Sequence, residues 1–164
     1  MDGDNVRMAI LRSLMILSLT VWLGGVIFLA VTAQTAFAVL PSRHLAGSVV
    51  GASITKLHWM GLISGVVYLI TSLIYSRLRS GSAHPFGAHN VLILAMLALT
   101  LFSQWGITPR MHALRTSLGE IDNAPPSDPA RIQFNRLHVW SEQTEKAVLI
   151  LGILVIYLTA RQFT

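Results

Sequence analysis

The chain has 164 residues, of which 53% are hydrophobic and only 12% are charged, a composition that excludes an ordinary soluble domain, whose surface needs more polar cover. Its formal charge of +5 comes from lysines and arginines outside the long apolar runs or at their ends, and no basic stretch is interleaved with aromatic residues, which argues against nucleic-acid binding. The lack of cysteine excludes disulfides, thiolate metal sites and cysteine nucleophiles.

Four apolar segments are predicted to cross a bilayer as helices, each of which needs roughly 20 residues. The first follows Arg7 and Arg12 but is too long for a signal-peptide core of ~7–15 residues, so we expect it to be retained as a span. The fourth apolar run, 147–160, is short and must borrow polar neighbours to reach the required length. The predicted spans are about 14–40, 57–76, 90–108 and 143–162. They predict an all-α fold, an integral membrane four-helix bundle that forms a single domain over residues 1–164.

The connections between the spans differ in length and character. The first opens with Pro41 and is predicted to be a turn or a short helical link, and the second is a compact polar loop. In the third, the helix of the third span is expected to continue until "NAPPSDP", residues 123–129, breaks it, with Asp128 as the N-cap and Pro129 as the first residue of the next helix. Two helices are therefore predicted to extend beyond the bilayer on one side, which we name the long-connection side; the opposite side is the termini side.

Lysine and arginine numbers bear on the orientation of the spans. The termini side carries five positive residues and the long-connection side seven, but most of the seven lie in a long connection, where the positive-inside rule weakens. Charge density therefore predicts that the termini lie in the cytoplasm.

Small residues within the spans predict where helices pack closely, because helix association in lipid relies on close approach of the backbones. The glycines concerned are Gly24, Gly25, Gly61, Gly65 and Gly152. The alternative, in which these glycines make room for a flat cofactor such as haem, is less favoured than packing.

Two glutamines lie toward the same end of the predicted bundle. Gln34 is in the first span and Gln104 is in the third, and both are near the long-connection side. A glutamine in hydrocarbon either hydrogen-bonds across a helix interface or lines a polar site. Their shared position favours a common polar cluster over two isolated hydrogen bonds.

The fourth helix adds acidic residues to that end of the bundle. His138, Glu142 and Glu145 fall on one helical face, and Glu142 can pair with Lys146 in a solvated extension. If the fourth helix spans fully at this end, Glu145 lies in the membrane interface and needs a partner. The candidate partners are Arg110 and His58.

Histidine supplies the remaining chemistry, since imidazole binds haem, copper and zinc and carries protons near neutral pH. The histidines predicted on the long-connection side are His44, His58, His112 and His138. His84 and His89 are predicted to be solvated in the loop on the termini side. His58, beside Trp59, is favoured as an interfacial anchor, and its alternative role is that of a metal ligand together with His138.

The stretch "VWLGGVIFLAVTAQTAFAVLP", residues 21–41, resembles the transmembrane protein 205-like family of four-span proteins, whose bacterial branch is a domain of unknown function. The resemblance continues through "AGSVVGASITKLHWMGLISG" (46–65), "ITPRMHALR" (107–115) and "FNRLHVWSEQTEKAVLILG" (134–152), and so covers nearly the whole chain. More distantly, the first stretch is similar to copper resistance protein D and to a membrane protein of haem synthesis.

The resemblance implies a four-helix membrane domain in a bacterial inner membrane, and through the distant relatives it suggests metal or haem handling by association only. Where the family usually has an asparagine after its "LHxxS" stretch, this chain has Glu145, so no role of that asparagine is carried over. The motif positions that match are Trp22, Gly24, Gly25, Pro41, Pro109, Arg110, His138 and Ser141.

The leading hypothesis is a membrane protein that binds or transports a small molecule, or a metal or haem, through one polar cluster, with haem and copper as the candidate cofactors. Its alternative is a non-catalytic structural or accessory subunit of a larger membrane complex, or a homo-oligomer, within the lipid bilayer. No P-loop, dinucleotide fingerprint or nucleophile elbow is present, so an enzymatic activity has no support in the sequence. The predicted binding cluster is Gln34, His58, Gln104, Arg110, His138, Glu142 and Glu145.

Overall fold

The structure is a computed structural model that describes residues 3–163, apart from the side chain at position 122. Its five α-helices are α1 Gly3–Val39, α2 Arg43–Ser80, α3 Ala88–Phe102, α4 Thr108–Leu118 and α5 Pro129–Phe163. A π-helical turn, Ser103–Ile107, joins α3 to α4 without a break, and a short 3-10 turn, Ile121–Asn123, follows α4. The described residues contain no strand, so the predicted all-α fold is confirmed.

Four helical stretches are long and apolar enough to cross a membrane, and they coincide with the four predicted spans. They are Gly3–Val39, Arg43–Ser80, Ala88–Leu118 and Pro129–Phe163. Many of the most exposed side chains are large apolar ones, among them Phe28, Ile63 and Ile150, as expected for surfaces that face lipid. The chain is therefore an integral membrane four-helix bundle.

The helices surround one core in an up-and-down arrangement. α1 packs against α2 and α5, and α3 packs against the same two helices from the other side. Among the largest fully buried side chains in this core are Trp22 of α1, Tyr68 of α2 and Met96 of α3. Around the bundle axis the helices thus follow the order α1, α2, α3, α5.

Glycines in the spans allow the close helix contacts that the sequence predicts, with one exception. A Cβ atom on Gly61 would lie 2.4 Å from Trp22 Nε1, and one on Gly152 would lie 2.2 Å from Leu23 Cδ2. Gly25 and Gly65 are similarly tight, with the nearest atoms at 2.3 Å and 2.6 Å. The packing prediction is wrong for Gly24, which is exposed and has no neighbour within 4 Å.

The long-connection side is built from three helical extensions, where the sequence predicts two. α2 begins at Arg43, capped by Ser42, whose Oγ accepts a hydrogen bond of 3.1 Å from the Leu45 N–H. The segment after Pro41 is therefore the first turns of α2 and not a separate link. The predicted cap of α5 is confirmed, because Asp128 Oδ1 accepts hydrogen bonds from the N–H groups of Ala130 and Arg131 at 2.7 Å and 3.2 Å.

Arg115 of α4 holds the three extensions together. Its guanidinium donates to the Gly47 carbonyl oxygen of α2 and lies over the Phe134 ring of α5, 5.4 Å from the ring centroid. A Cβ atom at Gly47 would lie 2.7 Å from the guanidinium, so glycine is needed for this approach. The extension is thus a packed unit that covers the long-connection end of the bundle.

The π turn at Ser103–Ile107 has a physical cause in Pro109. Proline lacks the N–H that would bond the carbonyl of residue 105, and its ring collides with that carbonyl in a regular α-helix. Widening the turn removes the collision, and the Thr108 N–H bonds the Ser103 carbonyl oxygen instead. The sequence prediction of an uninterrupted helix through this segment missed the widened turn.

Candidate functional site

His58 forms the centre of a polar cluster near the long-connection end of the bundle. Its side chain is only 1% exposed. Its Nδ1 lies 2.7 Å from Gln104 Oε1, and its Nε2 lies 2.9 Å from Glu145 Oε1. These partners come from the π turn and from α5, so the imidazole joins three of the four spanning segments. The favoured prediction of an interfacial anchor is wrong for His58, which is a buried residue.

The partners of His58 determine its protonation in this arrangement. The Gln104 carbonyl oxygen is an acceptor, and the Glu145 carboxyl group is one when it is ionised; in that state each ring nitrogen donates an N–H. A ring with two N–H groups is the imidazolium cation, and Glu145 supplies the compensating negative charge. His58 and Glu145 thus form a buried ion pair, oriented by Gln104.

Glu145 connects this ion pair to the protein surface. Its side chain is 16% exposed, in contrast to the enclosed His58, and no described residue bonds its second oxygen, Oε2. The exposed tryptophans Trp59 and Trp105, whose ring centroids lie 6.2 Å apart in a T-shaped pair, flank the cluster in sequence. Because tryptophan is enriched at the membrane surface, we expect this tryptophan pair to lie near the level of the bilayer interface.

The π turn adds an unsatisfied hydroxyl next to this cluster. Ser103 is fully buried and precedes Gln104, and its Oγ has no hydrogen-bond partner among residues 3–163. Buried hydroxyls are almost always bonded, so an unpaired one marks a place where a ligand group or water can bind. π turns are frequent at functional sites. They change the direction in which neighbouring side chains point.

The other four residues of the predicted cluster lie outside it. His138 and Glu142 are about half exposed and bond each other at 3.1 Å, while Lys146 pairs with Glu142 at 3.3 Å, as the sequence predicts. Arg110 is exposed in a groove of about 310 Å³ that Gln133 also lines. Gln34 is exposed on α1 and bonds no residue that the structure describes. The structure therefore brings together His58, Gln104 and Glu145 only.

The predicted metal pair, His58 and His138, does not share one site. His138 precedes Glu145 by seven residues on α5, a separation of about 10 Å along the helix axis. Across the described part of the chain, no group of three or more histidine, aspartate or glutamate side chains is placed to hold a metal ion. Both nitrogens of His58 are also already hydrogen-bonded.

A second polar network, at the termini end, corrects the prediction that His89 is solvated. His89 lies in the first turn of α3 and is only 7% exposed. Its Nδ1 accepts an N–H from Gln162 of α5 at 2.7 Å, and its Nε2–H donates to Ser72 Oγ of α2 at 2.9 Å. This ring is therefore neutral, with its proton on Nε2. His84 is exposed, as predicted.

A family model described as "Domain of unknown function (DUF4149)" matches residues 17–119, which is more than half of the chain. The matched range contains His58 and Gln104 and ends before Glu145. Neither the curated proteins nor the solved structures include a match to this chain.

Proposed function

The chain belongs to the DUF4149 family, and we propose from its site that it binds and transports a small cationic solute in exchange for the proton held between His58 and Glu145. The observation that carries this proposal is the 2.9 Å contact of an enclosed imidazole with a carboxylate that is partly exposed. His58, Gln104 and Glu145 are three of the seven residues in the binding cluster predicted from the sequence.

A buried ion pair needs a functional reason in lipid. Placing ionisable groups inside a membrane is costly, and replacing a buried pair by apolar residues is often neutral or stabilising. Other contacts already join the helices that the pair connects, because Gly65 of α2 packs against Leu97 of α3 and Tyr68 of α2 hydrogen-bonds Thr159 of α5. Intramembrane ionisable groups that face the bundle interior mark ion and substrate pathways by default.

The pair is suited to exchange because two cations compete for one carboxylate. While His58 carries both ring protons, its charge neutralises Glu145. A cation that approaches through the exposed edge of Glu145 takes over this neutralisation, and His58 then releases a proton. Binding of the cation and binding of the proton therefore exclude each other, as thermodynamic linkage requires of two ligands for one site.

The metal and haem forms of the hypothesis have less support from the described residues. A closed metal centre takes four or more ligands, whereas this cluster offers one histidine, one carboxylate and one amide oxygen. An optical spectrum and elemental analysis of purified protein test this form: a Soret band or stoichiometric copper would support it. A metal-free preparation that copurifies with other chains would favour the accessory-subunit alternative.

We also propose that the chain lies in a bacterial inner membrane with its termini in the cytoplasm. The support is the arginine density on the termini side, together with the family resemblance. The His58 cluster would then lie at the periplasmic end of the bundle.

Proton release on cation binding is the expected result that tests the exchange. The detergent-solubilised protein in weakly buffered solution is titrated in turn with Na⁺, K⁺, Zn²⁺ and tetraphenylphosphonium, while a pH-sensitive dye reports released protons. We expect at least one of these cations to release close to one proton per chain, because only one ring proton depends on Glu145.

Two variants control this titration. Glu145→Gln should abolish the release, because the amide no longer attracts a cation. Glu142→Gln, one turn away on the exposed surface, should leave the release unchanged. Absence of release with all four cations, or equal loss in both variants, would contradict the exchange.

A further inference from the structure

A second cavity lies at the termini end of the bundle, about 25 Å along α2 from His58. Its volume is about 490 Å³, and it is enclosed by the end of α2, the start of α3 and the end of α5. Its polar and charged lining includes Arg79, His84, His89, Arg161 and Gln162, and none of the lining residues within the described range 3–163 is acidic. The permanently charged side chains of this described lining are both arginines.

Two arginines at this end converge on a neutral oxygen. Tyr75 OH accepts a hydrogen bond from Arg12 Nε at 3.2 Å and from Arg79 at 3.4 Å. Arg79 also donates to the backbone carbonyl oxygen of Gln162, and Arg12 lies over the rings of Tyr75 and Phe163. Neither arginine bonds a carboxylate in the described range. Like charges held this close favour an anion between or beside them.

The first turn of α3 faces the same cavity through Gly87 and Ala88. No side chain caps this 15-residue helix, so its first N–H groups and its dipole add to the positive potential of the arginines. His89, held neutral by Ser72 and Gln162, forms the inner wall. A phosphate group meets here the Arg79 guanidinium, which shares the Tyr75 hydroxyl with that of Arg12, and an open helix terminus, and both are donors that phosphate prefers.

We propose that this cavity binds the phosphate of an anionic phospholipid headgroup. A lipid is favoured over a soluble phosphate compound because the cavity lies at the end of the spanning bundle, and the exposed apolar residues Leu78 and Phe86 are next in sequence to its lining residues Arg79 and Gly87. These side chains offer contacts to the acyl chains and the interface, and the arginines bind the headgroup.

The test compares lipids on the full-length protein. Native mass spectrometry of the detergent-solubilised protein, supplied with equal amounts of phosphatidylglycerol and phosphatidylcholine, should show preferential retention of phosphatidylglycerol. Arg79→Gln should weaken this retention about fivefold, the loss expected for one cationic contact to an anionic lipid. Arg77→Gln is the matched control, since Arg77 is exposed in the same turn and does not line the cavity, and it should retain the lipid like the parent.

A second variant covers the case in which Arg79→Gln does not fold, and a phosphate titration distinguishes a lipid from a soluble phosphate compound. If Arg79→Gln does not fold, Arg79→Lys keeps the charge but loses the bidentate geometry of the guanidinium, and it should weaken retention by less than fivefold. Equal retention of the two lipids by the parent, or equal loss in the Arg77 and Arg79 variants, would overturn the proposal. Thermal stabilisation by millimolar inorganic phosphate without any lipid preference would identify a soluble phosphate compound as the ligand and would equally overturn the lipid assignment.

Discussion

Replacing Glu145 by glutamine is expected to destabilise the protein. The variant leaves the enclosed His58 without a counter-charge when the ring holds both protons. Removing one partner of a buried ion pair costs about 3 kcal/mol or more. Thermal unfolding of parent and variant in the same detergent measures the difference.

Glu142→Gln is the control for this experiment. It makes the same chemical change one turn earlier on α5, in a pair with Lys146 that is half exposed. Exposed pairs of this kind contribute about 0.5 kcal/mol or less, so the midpoint should hardly move. If Glu145→Gln unfolds at the parent's temperature, Glu145 is not part of a buried ion pair.

Replacing Gly61 by leucine is expected to disrupt the packing of α1 on α2. The Cβ atom alone would lie 2.4, 2.7 and 2.9 Å from three atoms of the Trp22 indole, which is itself buried in the core. The rigid ring has no free space to enter, so the helices must separate. We expect a loss of about 3 kcal/mol, at the upper end of what overpacking costs, measured as a lower midpoint of thermal unfolding.

Gly24→Leu provides the comparison. Gly24 has open space around it, and leucine has a better helix propensity than glycine by about 1 kcal/mol. The variant should therefore be as stable as the parent or slightly more stable. Equal destabilisation by leucine at Gly24 and at Gly61 would contradict the α1–α2 contact in the structure.

The architecture follows closely from the sequence because it depends on properties that are local in the chain. Apolar runs of spanning length predict the four helices, and paired prolines with Asp128 predict the start of α5. The extension of α2 back to Arg43 was not predicted, because small residues and a proline at 41 suggest a turn until Arg115 is seen to pack against Gly47.

The site is only partly predictable because it depends on how each helix is rotated about its axis. The sequence singles out Gln104 and Glu145 as polar residues that need partners, and both are in the cluster. It places His58 at the surface, since a histidine next to Trp59 at a helix end fits an anchor equally well. Adjacent helical residues point about 100° apart, so Trp59 faces outward while His58 faces the axis.

The burial of His89 illustrates the same limit at the other end of the bundle. The loop before it is polar, and only the packing of α5 against α3 shows that Gln162 reaches this ring. Pro109, by contrast, was an available signal: a proline within a helical run predicts a local distortion, and here the distortion is the π turn that carries Gln104.

The most direct test of the central claim is imidazole ¹⁵N NMR of histidine-labelled protein in lipid bicelles at mildly acidic pH, with the His58 signals identified by their loss in His58→Gln. The account predicts two protonated ring nitrogens on His58, each shielded from exchange with water, and a single protonated nitrogen, Nε2, on His89. A His58 ring with one bare nitrogen, or one whose protons exchange freely with solvent, would contradict the buried ion pair with Glu145.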